Sequence, residues 1–204
     1  SLRRKHQMCI RDRILGVYKK KSSTIVYNLS IISLVIIFFI NINLFGNIET
    51  DLFSKSYLID YLSTFMKFLI IISGIFVMLT SSKYLKIQKI FKIEYPILLL
   101  SSILGMMIMI SSNDLIVFYM GLELQSLALY VLASFNRDNQ LSSESGLKYF
   151  VLSALSSGLL LYGCSLIYGY SGSTNFLVIS QNISEVQYGL TLGIVFILVG
   201  LASV

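Results

Sequence analysis

Six long apolar runs, separated by short polar segments, dominate the chain. Several exceed the ~18 residues that indicate a membrane span. The bilayer core offers the backbone no hydrogen-bond partners, and the runs lack period-two alternation, so they are predicted to be helices. The predicted spans cover approximately residues 24–45, 61–80, 96–112, 114–135, 144–170 and 187–204. The pattern predicts an all-α, polytopic transmembrane helical bundle with about six spans.

The composition agrees with this prediction. Of the 204 residues, 13% are charged, whereas a soluble domain carries roughly 25%. This excludes a soluble globular enzyme. Two cysteines are too few for a disulfide-stapled domain, and Cys9 and Cys164 do not have a metal-ligand spacing. We expect both to be reduced thiols.

The basic character of the chain is confined to its amino-terminal segment. Residues 1–21 contain eight of the 16 basic residues and one acid, whereas the remainder has a net charge of −1. This distribution argues against a nucleic-acid partner. We interpret residues 1–21 as a basic tail. Its first 13 residues are polar, basic and aperiodic. This pattern favours a stretch that is foreign to the native protein or disordered; the alternative is a targeting arm.

Residues 22–204 form the predicted transmembrane helical domain. The last span is still apolar at Val204. A terminal carboxylate inside lipid would be costly, so we expect this domain to be truncated at its C-terminal end.

Loop charges predict the orientation. The flank before the first span, the loop at 81–94 and the loop at 136–143 carry eight basic residues. The loops on the opposite side carry only Lys55. Because basic residues favour the cytoplasmic side, the first set is predicted to face the cytoplasm, or the matrix in a mitochondrion. The loops at 46–60 and 171–186 are predicted to face the other side.

A carboxylate lies near the middle of the fourth span. An unpaired charge at that depth costs several kcal/mol, so Glu123 is expected to face a partner or a water-filled cavity, or to be protonated. Helical spacing places further polar residues on its face. The full stripe is Tyr119, Glu123, Ser126, Tyr130 and Ser134. We interpret it as a proton relay; the alternative is a protonated carboxyl that tethers two helices.

Two lysines also fall within predicted spans. Lys148, near the cytoplasmic start of the fifth span, either snorkels to the interface or titrates while facing the bundle. Lys67, seven residues into the second span, is expected to snorkel.

A family resemblance emerges from the central motifs. Glu94-Tyr95-Pro96, NDLIVFYMGLELQSLALYVLASF and SSESGLKYFVLSALSSGLLLYGCSLIYGYSGSTNF resemble the N subunit of proton-pumping NADH:quinone oxidoreductase (complex I). The similarity is strongest over residues 94–176. The antiporter-like subunits of complex I and the Mrp-type cation/proton antiporters share the looser pattern of a glutamate and a downstream lysine.

The resemblance implies a larger antiporter-like subunit of about fourteen helices with inverted repeats, of which this chain would cover the second to the seventh. It maps the essential glutamate onto Glu123 and a lysine onto Lys148. A seventh-helix lysine is expected just after residues 200–202, where this chain reads Ser203-Val204.

The resemblance also implies a function. The chain would contribute a proton-translocation pathway to a respiratory NADH:quinone oxidoreductase, with Glu123 and Lys148 in the proton relay. Helical spacing places Tyr119, Ser126 and Tyr130 on the supporting polar face. It would hold no cofactor or metal; NADH, FMN, iron–sulfur clusters and quinone would belong to partner subunits. Its partners would be other complex I membrane subunits and the lipid bilayer, in a bacterial plasma membrane or mitochondrial inner membrane. The alternatives are a Mrp-type antiporter subunit and a structural membrane component without transport.

Overall fold

The computed structural model describes residues 22–44, 50–52, 56–88, 90–136, 139–182 and 188–203. Helices account for most of the described residues. In chain order the elements are α1 (Ser22–Leu44), β1 (Thr50–Leu52), β2 (Tyr57–Ile59), α2 (Tyr61–Ile87), α3 (Glu94–Ser111), α4 (Leu115–Ala133), α5 (Gln140–Ser171), α6 (Phe176–Asn182) and α7 (Tyr188–Ser203). The predicted amino-terminal tail, residues 1–21, lies outside the described residues.

The helical prediction is confirmed. Five helices, α1 to α5, are long and apolar enough to cross a membrane, and α7 adds a shorter apolar helix of 16 residues. Two boundaries differ from the prediction: α2 continues to Ile87, and α5 begins at Gln140. Lys86 in the last turn of α2 is favourable there because it opposes the negative end of the helix dipole.

Two short elements lie where the sequence predicted only polar loops. β1 and β2 form an antiparallel hairpin in which Leu52 pairs with Tyr57, and α6 follows the end of α5. The local sequence gave no signal for either. Hydrogen bonds to other loops hold both in place, since Ser56 accepts from the amide of Asn113 at 2.9 Å and the amide of Phe176 donates to Asn113 at 3.1 Å.

The helices pack around two apolar clusters. The first joins α1, α2 and α3, and the second joins α4, α5 and α6, with Ile197 of α7 packed against it. The first consists of Tyr27, Leu34, Met78, Leu85, Leu99 and Ile103. The second consists of Leu115, Leu122, Leu160, Cys164, Ile167 and Ile179. Cys164 is a free thiol, as predicted.

Two glycines allow α3 and α4 to approach closely. A Cβ atom at Gly105 would lie 2.8 Å from the carbonyl oxygen of Gly121, and one at Gly121 would lie 2.8 Å from the amide of Met109. Small residues let membrane helices bring their backbones together. This contact fixes the position of α4, which carries Glu123.

The hairpin before α2, the loop between α3 and α4 and the segment after α5 lie together at one end of the bundle. Tyr57 of the hairpin forms a bridge with Ser112, and Asp114 forms one with Asn175. Leu115 donates its amide to the carbonyl of Thr174 at 2.9 Å. We call Ser56, Tyr57, Ser112, Asn113, Asp114, Thr174 and Asn175 the outer clasp, because the loop charges assign this end to the non-cytoplasmic side. The predicted grouping of these three connections on one side is confirmed.

Candidate functional site

Glu123 lies near the middle of α4. Asp114 begins the helix as predicted, accepting a hydrogen bond from the amide of Ile116 at 2.9 Å. Glu123 follows Leu115 by eight residues, which is roughly 12 Å along the helix, and precedes Ala133 by ten, or roughly 15 Å. Both ends of the helix are therefore about equally distant from the carboxyl group.

The immediate surroundings of Glu123 are polar on one side. Tyr119 lies one helical turn before Glu123, on the same face of α4. The Ser126 hydroxyl donates to the carbonyl of Glu123 at 3.0 Å. Within the described residues, no ion pair to Glu123 is found. The Glu123 carboxyl is half-buried and has the Tyr119 phenol one helical turn away. Among the described residues, this carboxyl has no cationic partner.

A cavity of about 710 Å³ opens beside the predicted polar stripe. Two stripe residues, Ser126 and Tyr130, line it, together with Gln125 and with Tyr149 of α5. The other lining residues are apolar: Met109, Phe118, Leu122, Leu129, Ala133 and Leu201. Gln125 and Tyr149 were not predicted from the sequence, because neither lies at the spacing of the stripe.

Tyr130 stands out within this cavity. The side chain is 8% exposed, and its hydroxyl has no hydrogen-bond partner among the described residues. Its ring meets Phe150 edge to face at 6.4 Å between centroids. Buried hydroxyl groups nearly always have a partner, often an ordered water. The cavity beside Tyr130 can supply such a water.

The Lys148 side chain does not contact Glu123. Its side chain is 75% exposed, and its amine forms an ion pair with Glu144, one turn earlier, at 2.7 Å. Gly146 packs against Ser134, the capping residue just after α4. Gly146 and Ser134 therefore mark one level of the bundle. Lys148 lies two residues further towards the outer end on α5, and Glu123 lies eleven residues further on α4. The two side chains are thus offset along the bundle by roughly 13 Å.

The expectation that Lys67 snorkels is wrong. This side chain is 6% exposed, and its amine donates to the hydroxyl of Tyr57 at 3.0 Å. The hairpin, which the sequence did not predict, covers the outer end of α2 and supplies the phenol. A buried hydrogen bond therefore replaces the expected exposure of the amine at the interface.

Potential metal ligands are dispersed. Among the described residues, no group of three or more His, Cys, Asp or Glu is placed to hold a metal ion. The polar residues around Glu123 are hydroxyls, a phenol and an amide, which are suited to hydrogen bonding with water.

Comparison with known proteins finds similar sequences. Residues 112–203 match the family model described as NADH:quinone oxidoreductase/Mrp antiporter, TM. The chain is 69% identical over 191 residues to NADH-quinone oxidoreductase subunit N of Pelagibacter ubique (strain HTCC1062), an alignment that covers 93% of this chain and 40% of the relative. The chain thus spans about 40% of the length of this curated relative.

Solved structures share the fold. A chain of respiratory complex I from Thermus thermophilus superposes with a TM-score of 0.72 at 25% identity, covering 88% of this chain and 38% of the other. A chain of an archaeal membrane-bound sulfane sulfur reductase superposes with a TM-score of 0.75 at 19% identity, covering 92% and 40%. At 19% identity, the second match shows the fold alone.

These matches agree with the apolar helices in assigning the chain to the membrane. It is an integral membrane protein, and its named relatives are bacterial, which indicates the bacterial plasma membrane. The matched residues 112–203 include the α4 segment with Glu123 and the α5 segment with Lys148. Residues 112–203 thus match the transmembrane NADH:quinone oxidoreductase/Mrp antiporter family model, and over 191 residues the sequence is similar to subunit N of NADH-quinone oxidoreductase.

Proposed function

We propose that this chain contributes a proton-translocation pathway to a proton-pumping NADH:quinone oxidoreductase. The observation that carries the proposal is the position of Glu123, a carboxyl at mid-membrane depth on a helix that also lines a partly polar cavity. The sequence similarity to subunit N supports the choice of complex. The redox chemistry, with NADH, FMN, iron–sulfur clusters and quinone, belongs to partner subunits in this proposal.

The cavity gives the proposed pathway a direction. Ser134 lies at the inner end of α4, Tyr130 one turn above it, and Ser126 one turn higher, below Glu123. Tyr130 and Ser126 both line the cavity. Water held between these hydroxyls would connect the cytoplasmic end of the helix with the carboxyl, since each hydroxyl both donates and accepts a hydrogen bond. In the proposed pathway Glu123 takes up a proton from this side.

Lys148 has a supporting role at the inner end. It lies at about the level of the end of α4, and its charge is balanced by Glu144. From there it influences the proton concentration at the cavity entrance and the charge state of Glu123, without touching the carboxyl. Because water can substitute for an amine near the interface, replacing Lys148 should have a smaller effect than replacing Glu123.

A Mrp-type cation/proton antiporter subunit is the second candidate function. The matched family model includes both classes, and the fold also occurs in a complex that is named for sulfane sulfur reduction. The 69% identity to subunit N over almost the whole chain favours the complex I assignment.

Co-purification tests the assignment to complex I. An affinity tag on the protein, in detergent extracts of its own membranes, should retain an assembly that oxidises NADH and reduces quinone. An untagged strain is the control. Recovery of the protein in an assembly without NADH:quinone activity, but with cation/proton exchange in reconstituted vesicles, would replace the complex I proposal with the antiporter alternative.

A further inference from the structure

A lysine is buried beneath the outer hairpin, well away from the inner cavity. Lys67 lies in the second turn of α2, between the buried hydroxyl residues Ser63 and Thr64 and the buried Ile71. A lysine near a membrane surface ordinarily extends its stem through lipid and keeps its amine in water. A buried ammonium instead requires compensating partners, because desolvation is costly.

The partner of Lys67 is Tyr57 of β2. The amine lies 3.0 Å from the phenol oxygen and 4.9 Å from the centre of the ring. Both the oxygen and the ring face attract a cation. Among the residues whose side chains the structure describes, no carboxylate forms an ion pair with Lys67. The contacts of the buried Lys67 amine are therefore with Tyr57 of the hairpin.

Tyr57 is also the point at which the hairpin joins the rest of the outer clasp. It forms a bridge with Ser112, and the neighbouring carbonyl of Ser56 accepts from the amide of Asn113. Asp114, the next residue, caps α4 and accepts from the hydroxyl of Thr174 at 2.6 Å. Continuous contacts thus lead from the amine of Lys67 to the first turn of α4.

We propose that Lys67 is a positioning residue whose ammonium, acting through Tyr57, holds the hairpin against the loop that begins α4 and so fixes the outer end of the helix carrying Glu123. The inference rests on the proposed proton pathway, in which the position of Glu123 matters. Lys67 lies in the outer half of the protein and does not line the inner cavity.

The charge itself is the essential feature of this proposal. A methionine is similar to lysine in length and packs well in irregular apolar sites. Removing the ammonium also removes the cost of burying it, and Tyr57 is only partly buried, so its hydroxyl can turn to water. Lys67→Met should therefore assemble normally while releasing Tyr57, whereas Lys67→Arg keeps a cation that can bind the phenol.

Amide hydrogen exchange on the assembled membrane complex tests the contact directly. We expect Lys67→Met to accelerate exchange at Asn113, Leu115 and Phe176 by about tenfold, the factor for one lost charge-assisted hydrogen bond. Tyr57→Phe, which keeps the ring but removes the hydroxyl, should give a smaller acceleration. Lys67→Arg should exchange like the original protein. Lys83→Met, at the exposed opposite end of α2, is the matched control and should also leave exchange unchanged.

The same membranes report on function through the number of protons moved per NADH oxidised. This ratio should fall in Lys67→Met and stay unchanged in Lys67→Arg and Lys83→Met. Unchanged exchange in Lys67→Met, an unchanged proton ratio in that variant, or a loss in Lys67→Arg equal to that in Lys67→Met would each overturn the proposal. Normal pumping by Glu123→Gln would instead reject the proton pathway, and the exchange data would still show whether Lys67 fixes the outer clasp.

Discussion

Single side chains along α4 combine burial with hydrogen-bonding capacity. Tyr130 is the clearest case, since its hydroxyl is buried at the cavity wall without a partner among the described residues. Leaving such a group unsatisfied costs about 1–3 kcal/mol. A water in the cavity would remove this cost and would place a mobile proton carrier one helical turn above the inner end of α4.

Replacing Tyr130 separates a role in transport from a role in stability. Tyr130→Phe should leave assembly of the complex unchanged or improve it, because the buried hydroxyl is deleted while the ring remains. The rate of proton translocation should fall by roughly two- to tenfold, the factor that corresponds to one hydrogen bond. Tyr162→Phe, an exposed tyrosine whose ring packs on Phe196 in α7, is the control. Normal translocation by Tyr130→Phe would remove this residue from the pathway.

At the scale of the helices, α3 and α4 are joined through backbone contact. Gly105 and Gly121 each lie so close to the opposite backbone that a side chain cannot be accommodated without movement. α5 and α7 meet in a similar way, where Gly163 lies against the carbonyl of Gly193. These contacts set the positions of the helices that surround the cavity.

A methyl group in the α3–α4 contact should destabilise the protein. Gly121→Ala places a Cβ 2.8 Å from the amide of Met109, and overpacking of this kind costs about 1–3 kcal/mol. Gly158→Ala is the control, since no atom lies within 4 Å of its Cβ position. Thermal unfolding in detergent should show a lower melting temperature for Gly121→Ala only. Equal melting temperatures for both variants would contradict the close-packing account.

The sequence predicted the long helices because each required an apolar run, and it located Glu123, Ser126 and Tyr130 on one helical face by spacing alone. It could not predict the hairpin or α6, whose hydrogen bonds come from residues distant in the chain. For the same reason it misplaced Lys67, since the partner of that lysine lies on the hairpin. The roles of Glu123 and Lys148 in proton transfer remain predictions.

The whole molecule has different inner and outer ends. The outer ends of α2, α4 and α5 lie close together in the outer clasp. At the other end α5 extends past α4, because it has 32 residues and α4 has 19. A 32-residue helix is roughly 48 Å long, which exceeds a bilayer core of about 30 Å. The first turns of α5 therefore project from the inner side, together with Glu144.

Cysteine labelling tests this orientation. In a background with Cys9 and Cys164 replaced by serine, Gln88→Cys at the end of α2 should react only with reagents that reach the cytoplasm. Ser180→Cys on α6 should react with an impermeant reagent from the opposite side. Both positions are exposed. Labelling of both from the same side would show that the assignment from loop charges is wrong.

The central claim is that Glu123 exchanges protons during turnover, and Glu123→Gln tests it most directly. Glutamine keeps the size and hydrogen-bonding ability of the side chain but removes its titration. It also removes a mid-membrane charge that costs about 2.5–3.5 kcal/mol on insertion scales, so assembly should not suffer. The abundance of the assembled complex provides the check on folding.

NADH oxidation with quinone and proton translocation are measured together on the same membranes, with the original protein alongside. The account predicts that the Glu123→Gln complex assembles normally but loses most of its proton translocation through this subunit, lowering the number of protons moved per NADH. Full translocation per assembled complex in the glutamine variant would contradict it and leave Glu123 as a tether between helices.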